Sequence, residues 1–220
     1  DDIELLTDPI PRLRELFQRP DLFAATFRST NEAGGFREGA KRLVWPFGLP
    51  RIRHNERDQH PMTDGLLPSD YAVGGHAAFR QGMFASLGGF DPLFEPFYWE
   101  DVDLARRAVA AGWRIAYEPS ILVRHAAAGA IRTSHDDRRI RLTTQCNRIL
   151  FGWRHCPPGA GPFQRLALAW YAATSPLFRE SLAEARRRRH AAVDHSRREE
   201  EAHIDSAAST TASTERPEGV

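Results

Sequence analysis

The chain has 220 residues, 41% hydrophobic and 27% charged, enough for one core of ordinary size with something appended. Thirty basic and twenty-nine acidic residues leave a net charge of +1, which removes the electrostatic case for a nucleic acid or other polyanion as partner. No apolar run reaches the roughly 18 residues that a membrane span needs, and Cys146 and Cys156 lack zinc-site spacing, so they read as ordinary thiols of a reducing compartment.

In chain order, Pro9–Arg19 places Leu13, Leu16 and Phe17 on one side of a short helix that Pro20 ends. Leu22–Phe27 reads as a buried strand. From residue 29 to 69 periodicity fades into glycine, proline and charge, which predicts an irregular insertion near a site. His54 and His60 fall there without ligand spacing and read as solvated loop histidines, and Lys41 is the only lysine of the chain. Regular structure returns with a strand over Tyr71–Phe79 and a helix over Arg80–Leu87. Gly88-Gly89 suits a helix C-cap and tight turn, with Phe90 tucked into the core.

The most informative stretch runs from Gly88 to His125. Trp99-Glu100-Asp101-Val102-Asp103-Leu104 puts three carboxylates at the start of a helix over Val102–Ala111, where unpaired backbone N–H groups and the helix dipole favour the ionised state that a general base needs. Gly112 stops this helix. Trp113–Tyr117 and Ile121–Val123 predict two short strands around a turn at Glu118-Pro119-Ser120, the second leading to His125. Asp136–Trp153 predicts a helix with Ile140, Thr144, Asn147 and Phe151 along one side. Beyond Gly159, Phe163–Phe178 is apolar and aromatic and is followed by Arg186–Arg189, which fits either a membrane-surface helix or a helix packed on the domain or on a second subunit. From about Asp194 the composition predicts a disordered tail.

Several of these pieces, in this order, resemble family 2 glycosyltransferases, inverting enzymes of the GT-A fold that use nucleotide-sugar donors. Gly74-Gly75-His76-Ala77-Ala78-Phe79-Arg80 is similar to the glycine-containing strand before the family's acceptor site, and Phe84–Asp91 to its GGFD turn. Trp99-Glu100-Asp101 resembles the acidic motif whose last aspartate is the base, and Pro119–His125 the strand that ends in a metal-binding histidine. Thr143–Arg148 resembles an R-N-R stretch, from which Gln145-Cys146 departs. At the start, Asp1-Asp2 matches the last two positions of an N/D-x-D stretch that holds metal and diphosphate.

The resemblance covers about residues 1–155. It implies an α/β, partial GT-A fold that lacks its N-terminal nucleotide-binding βαβ half, followed by an amphipathic helical extension over 156–193 and the tail over 194–220. It implies Asp101 as catalytic base, with Glu100, Asp103, Trp99, Gly74 and Gly75 at the acceptor. Trp99 offers an aromatic face to a sugar or else fills the core. Asp2 and His125 are the implied ligands of Mn2+ or Mg2+, and Asp1 and Asp2 the contacts of the donor diphosphate. The implied partners are a nucleotide-sugar donor and a glycan or lipid-linked acceptor of a surface-polysaccharide or cell-envelope pathway, the donor sugar left open among rhamnose, galactofuranose, glucose and others. The location expected is cytoplasmic, or peripheral on the inner face of the plasma membrane. Two readings of the C-terminal part stay open, membrane contact through 163–189 and homo-oligomerisation. Against the enzyme stands an inactive, truncated transferase fragment serving as a membrane-surface or oligomerisation module.

Overall fold

Leu22–Thr30 and Arg114–His125 are the chain's strongest strand-forming stretches, with buried side chains on both faces, the pattern of strands covered on two sides. In the computed structural model, which describes residues 3–54, 62, 64–125 and 133–214 (side chains of 196 and 199–214 excepted), these two pair in parallel at the centre of a six-stranded sheet. The result is a mixed α/β fold.

Short antiparallel strands line both edges of that pair. We number the elements β1 (Ile3–Leu5), α1 (Ile10–Leu16), β2 (Leu22–Thr30), β3 (Phe36–Glu38), β4 (Lys41–Val44), β5 (Arg51–His54), β6 (Leu67–Pro68), β7 (Ala77–Phe79), α2 (Gln81–Ser86), α3 (Glu100–Ala110), β8 (Arg114–His125), α4 (Asp137–Arg154), α5 (Gly161–Thr174) and α6 (Pro176–Thr214). β1 and β6 sit on the outer edge of β8, while β3 and β7 sit on that of β2. β4 and β5 form a separate two-stranded sheet.

Because side chains alternate along a strand, β2 and β8 feed two apolar clusters. Leu22, Ala25, Phe27, Ala116, Ile121 and Val123 pack with Leu16 of α1. Phe23 and Ile115 belong to a larger cluster with Leu104 and Ala108 of α3 and Ile149 and Phe151 of α4. Leu168 of α5 and Phe178, Leu182 and Ala185 of α6 join that same cluster. The C-terminal extension is therefore part of the main core.

Several sequence expectations change here. Among its described residues, segment 29–69 holds more regular structure than expected: the end of β2, then β3, β4, β5 and β6, strands too short to leave a readable period. The strand expected over Tyr71–Phe79 shrinks to β7, because Gly74–His76 forms a 3-10 turn. The two strands expected around Glu118 are one, with the register against β2 shifting between Glu118 and Leu122. Phe90 is 40% exposed rather than tucked in. The apolar stretch over 163–178 breaks at Ser175-Pro176, where Ser175 Oγ accepts from the Phe178 N–H at 3.3 Å as α6 begins. Within the arginine run, Arg188 binds the carbonyls of Leu93 and Glu95 and Arg189 lies over the Trp153 ring, so the run is not merely solvated. The region composed like a disordered tail, from 194, is helical in backbone through Thr214; its Ala, Glu and Arg are good helix formers continuing an anchored helix. Residues 215–220 lie outside the described ones.

The turn that delivers the chain into α3 is held by α4. Tyr98 and Trp99 both have left-handed backbone (φ 67° and 78°), a conformation that costs non-glycine residues about 1 kcal/mol or more each. Asn147, fully buried, offsets this: its Nδ2 donates to the carbonyls of Phe94 (2.6 Å), Phe97 (2.9 Å) and Tyr98 (3.0 Å). Its Oδ1 accepts from Arg188 Nη1 at 2.9 Å. Asn147→Leu, which keeps the branched outline but has no donors, leaves those carbonyls unpaired in the interior. It is expected to cost about 3 kcal/mol in urea unfolding, and a loss below about 1 kcal/mol would mean that other contacts hold the turn.

Candidate functional site

A cleft of about 770 Å³ opens at the C-terminal ends of the parallel pair β2 and β8, the position where open α/β sheets place ligands. Its walls come from β1 and β8 (Ile3, His125), β3 (Arg37, Glu38), β5 (Arg51, His54), the 3-10 turn (Gly74, Gly75), the start of α3 (Glu100, Asp101) and α4 (Thr144, Arg148). Of the residues singled out in the sequence, Asp101, Glu100, Trp99, Gly74, Gly75 and His125 converge there. Asp1 and Asp2 lie outside the described residues; Ile3, which follows them in sequence, pairs with His125.

Asp101 is held by two backbone donors. The Gly74 N–H reaches its Oδ2 at 3.3 Å and the Val102 N–H its Oδ1 at 2.8 Å. The helix start alone predicts a carboxylate fully ionised at neutral pH, and that expectation is corrected. Burial, and after it the adjacent charge of Glu100, outweigh the N–H groups and push the Asp101 carboxyl up to about 7. Burial raises Glu100 as well, and its Oε2 is buried without a hydrogen-bond partner among the described residues.

The two glycines have separate roles. Gly74 supplies the N–H that orients Asp101. At Gly75 a Cβ would stand 2.8 Å from Ile3 Cδ1, so a larger residue there would displace the end of that side chain. Their turn is pinned to the sheet by the Val73 N–H, which donates to Thr26 Oγ1 at 3.3 Å.

Trp99 and Asp103 depart from their expected acceptor roles. Trp99 is 6% exposed and packs on Phe151 with ring centroids 5.0 Å apart, a core aromatic beneath the cleft. Asp103 is fully buried and does not line the cleft, because two positions along a helix turn it about 200° away from Asp101. It accepts from Arg107 Nε (2.7 Å) and Arg154 Nη1 (3.0 Å) and lies 2.8 Å from His155 Nε2. Burial would raise this carboxyl, but the hydrogen bonds from His155 and Arg107 and the charge of Arg154 prevail and hold it below its ordinary value. Arg107 also donates to the carbonyls of Leu87 and Gly89, so this knot ties α3 to the glycine turn after α2. Gly88 and Gly89 there have φ of 76° and 70°, as a helix C-cap requires.

A polar network on another wall has no counterpart among the sequence motifs. Lys41, its side chain fully buried, donates from Nζ to Glu38 Oε2 at 2.6 Å and lies 2.8 Å from His54 Nδ1. Burial pulls the Lys41 ammonium below its ordinary value, against the charge of Glu38. His54 is thus a strand residue that lines the cleft rather than a loop histidine, though it is exposed as expected, while His60 lies outside the described residues. A sole lysine in an arginine-rich chain was the available signal.

His125 ends β8 with its ring centroid 5.9 Å from that of His76. His76 is 2% exposed, and neither of its ring nitrogens has a hydrogen-bond partner among the described residues. Burial lowers its pKa to about 4. Among the described residues no group of three or more His, Cys, Asp or Glu side chains is placed to hold a metal ion. Of the implied ligands of Mn2+ or Mg2+, His125 stands in the cleft wall, and Asp2 lies outside the described residues.

The poise of Asp101 has a consequence for stability. Its folded pKa of about 7 exceeds the ordinary 3.8, so between those values the folded state holds the proton more tightly than the unfolded state, and stability falls as pH rises. Asp101→Asn lacks this titration. The stability of the variant relative to the parent is therefore expected to rise with pH from about 4 to about 7 and then level off. Urea midpoints measured across that range check it; a difference that does not vary with pH would contradict the buried setting of Asp101 beside Glu100.

No family model matches the chain, and no curated protein matches it. Among the described residues no helix is long and apolar enough to cross a membrane. Among solved structures, the chain is similar to the crystal structure of GalNAc-T7 with UDP, GalNAc and Mn2+, at a TM-score of 0.47 and 14% sequence identity over 68% of this chain. The match spans 29% of the GalNAc-T7 chain.

Proposed function

We propose that the chain carries the acceptor side of an inverting glycosyltransferase, with Asp101 as general base. The supporting observation is a carboxyl group in a sheet-end cleft, oriented by two backbone N–H groups and poised at about 7. A base works best when its pKa lies near the working pH, because it is then both deprotonated and basic enough to take the proton. In this reading the acceptor hydroxyl donates to Asp101, and its oxygen attacks the sugar C1 from the face opposite the leaving phosphate. The bond to the nucleoside diphosphate breaks, and the proton remains on Asp101.

Glu100 beside the base helps to keep its pKa raised, and the Asp101 charge acts in turn on buried Lys41. The family, the inversion and the pair Asp2 and His125 as cation ligands enter this proposal through the sequence resemblance. So do the nucleotide-sugar donor and the glycan or lipid-linked acceptor.

The test is turnover by the full-length protein with UDP-, GDP- and dTDP-sugars. Asp101→Asn is expected to lower kcat at least about 100-fold with donor affinity nearly unchanged. Parent kcat/KM should rise through a pH near the Asp101 value of about 7. Retention of more than about a tenth of kcat in the variant would remove Asp101 from the role of base.

A different observation favours the second reading, a surface or oligomerisation module. On α5, Phe163 (61% exposed), Leu166 (71%) and Trp170 (67%) share one face at helical spacing. Co-sedimentation with anionic phospholipid vesicles tests its membrane form. Binding that survives Leu166→Glu combined with Trp170→Glu would show that this face is not the contact.

A further inference from the structure

On one wall of the cleft the charges are balanced where they stand. Glu38 answers Lys41 at 2.6 Å, and Arg37 lies 3.9 Å from Glu38 and donates to the His125 carbonyl at 2.6 Å. Two guanidinium groups are not balanced in this way. Arg148 of α4 uses one of its five N–H donors on the Pro50 carbonyl, Nε to O at 2.7 Å, and has no carboxylate partner among the described residues. Arg51, at the start of β5 and next to Pro50, has neither an ion pair nor a side-chain hydrogen bond among them.

Both line the cleft. Burial holds the Arg148 guanidinium below its ordinary value, and the charge of Arg51 works in the same direction. Neighbouring like charges in a partly desolvated wall are unfavourable until an anion joins them, and the planar fork of arginine matches the oxygens of a phosphate or carboxylate.

The location of Arg51 on the β4–β5 hairpin bears on which anion. Lys41 pairs with His54 and Val44 with Arg51, so Arg51 sits three residues, roughly 10 Å of strand, from His54. His54 connects through Lys41 and Glu38 to the wall where Arg37 holds the end of β8 at His125. Arg51 thus stands roughly 10 Å along the hairpin from the network that reaches toward His125, the residue that the resemblance places at the donor diphosphate.

We propose that the acceptor bears an oxyanion, phosphate or carboxylate, and that Arg51 and Arg148 bind it there. The word acceptor rests on the glycosyltransferase reading; the anion site itself does not need turnover. The experiment is isothermal titration of the full-length protein at low salt with inorganic phosphate, with glucuronate, and with UDP, GDP and dTDP. One or both of the first two are expected to bind, with affinity reduced at least about 5-fold in Arg51→Gln while nucleotide affinity is unchanged. Phosphate binding alone assigns a phosphorylated acceptor, and glucuronate binding alone a uronate.

Arg148→Gln and Arg148→Lys should weaken the same probe. Arg148 also holds Pro50, so the exposed Arg51 decides the matter if those variants unfold. Absence of binding by both small anions, equal affinity in Arg51→Gln, or an equal loss for the nucleotides would each overturn the proposal, the last by placing the pair on the donor diphosphate. Because the readout is binding, it stays informative whether or not Asp101 proves to be the base.

Discussion

From the interior, the Asn147 amide grips three carbonyls of the turn before α3, and the geometry of the site rests on that hold. Two consecutive left-handed residues, Tyr98 and Trp99, turn the chain sharply into the helix, and such a turn relaxes unless the surrounding structure holds it. Arg188 of α6 binds both Asn147 Oδ1 and the Glu95 carbonyl beside it. The entry of α3 is thereby fixed, with Glu100 and Asp101 toward the cleft and Asp103 toward the back. The last helix thus supports a carboxyl group that it does not touch.

The three carboxylates of one helix start show how position sets chemistry. Asp103, drawn into the interior, is surrounded by Arg107, Arg154 and His155 and stays charged as a structural tie. Asp101 and Glu100 have no cation in hydrogen-bond contact among the described residues, so burial dominates and raises both. A buried ion pair that loses one partner leaves an uncompensated charge, which makes Asp103 a residue of the scaffold. The group available for proton transfer is the one whose charge is not already answered.

The same reasoning organises the wall built by segment 29–69. In that segment β3 brings Arg37 and Glu38, and β5 brings Arg51 and His54, to a cleft that α3 also lines, with the buried Lys41 of β4 in contact with Glu38 and His54. Lys41 is tolerated in the interior because Glu38 and His54 use its donors. Arg51 and Arg148 lack such partners among the described residues.

Elements with local signals were legible in the linear chain. Proline and paired glycines marked the ends of α1 and α2, three-and-four spacing marked α3 and α4, and the resemblance of Trp99-Glu100-Asp101 to an acidic motif singled out Asp101. The remainder waited on folding. Whether Trp99 meets a sugar or the core depends on Phe151 of α4, and whether Asp103 faces acceptor or scaffold depends on Arg154 and His155. The strands of 29–69 are too short for periodicity to register, and Lys41, Arg51 and Arg148 acquire their character from neighbours that only the packed chain supplies. Charge and burial are properties of surroundings, and a linear pattern carries them only where the surroundings are themselves local.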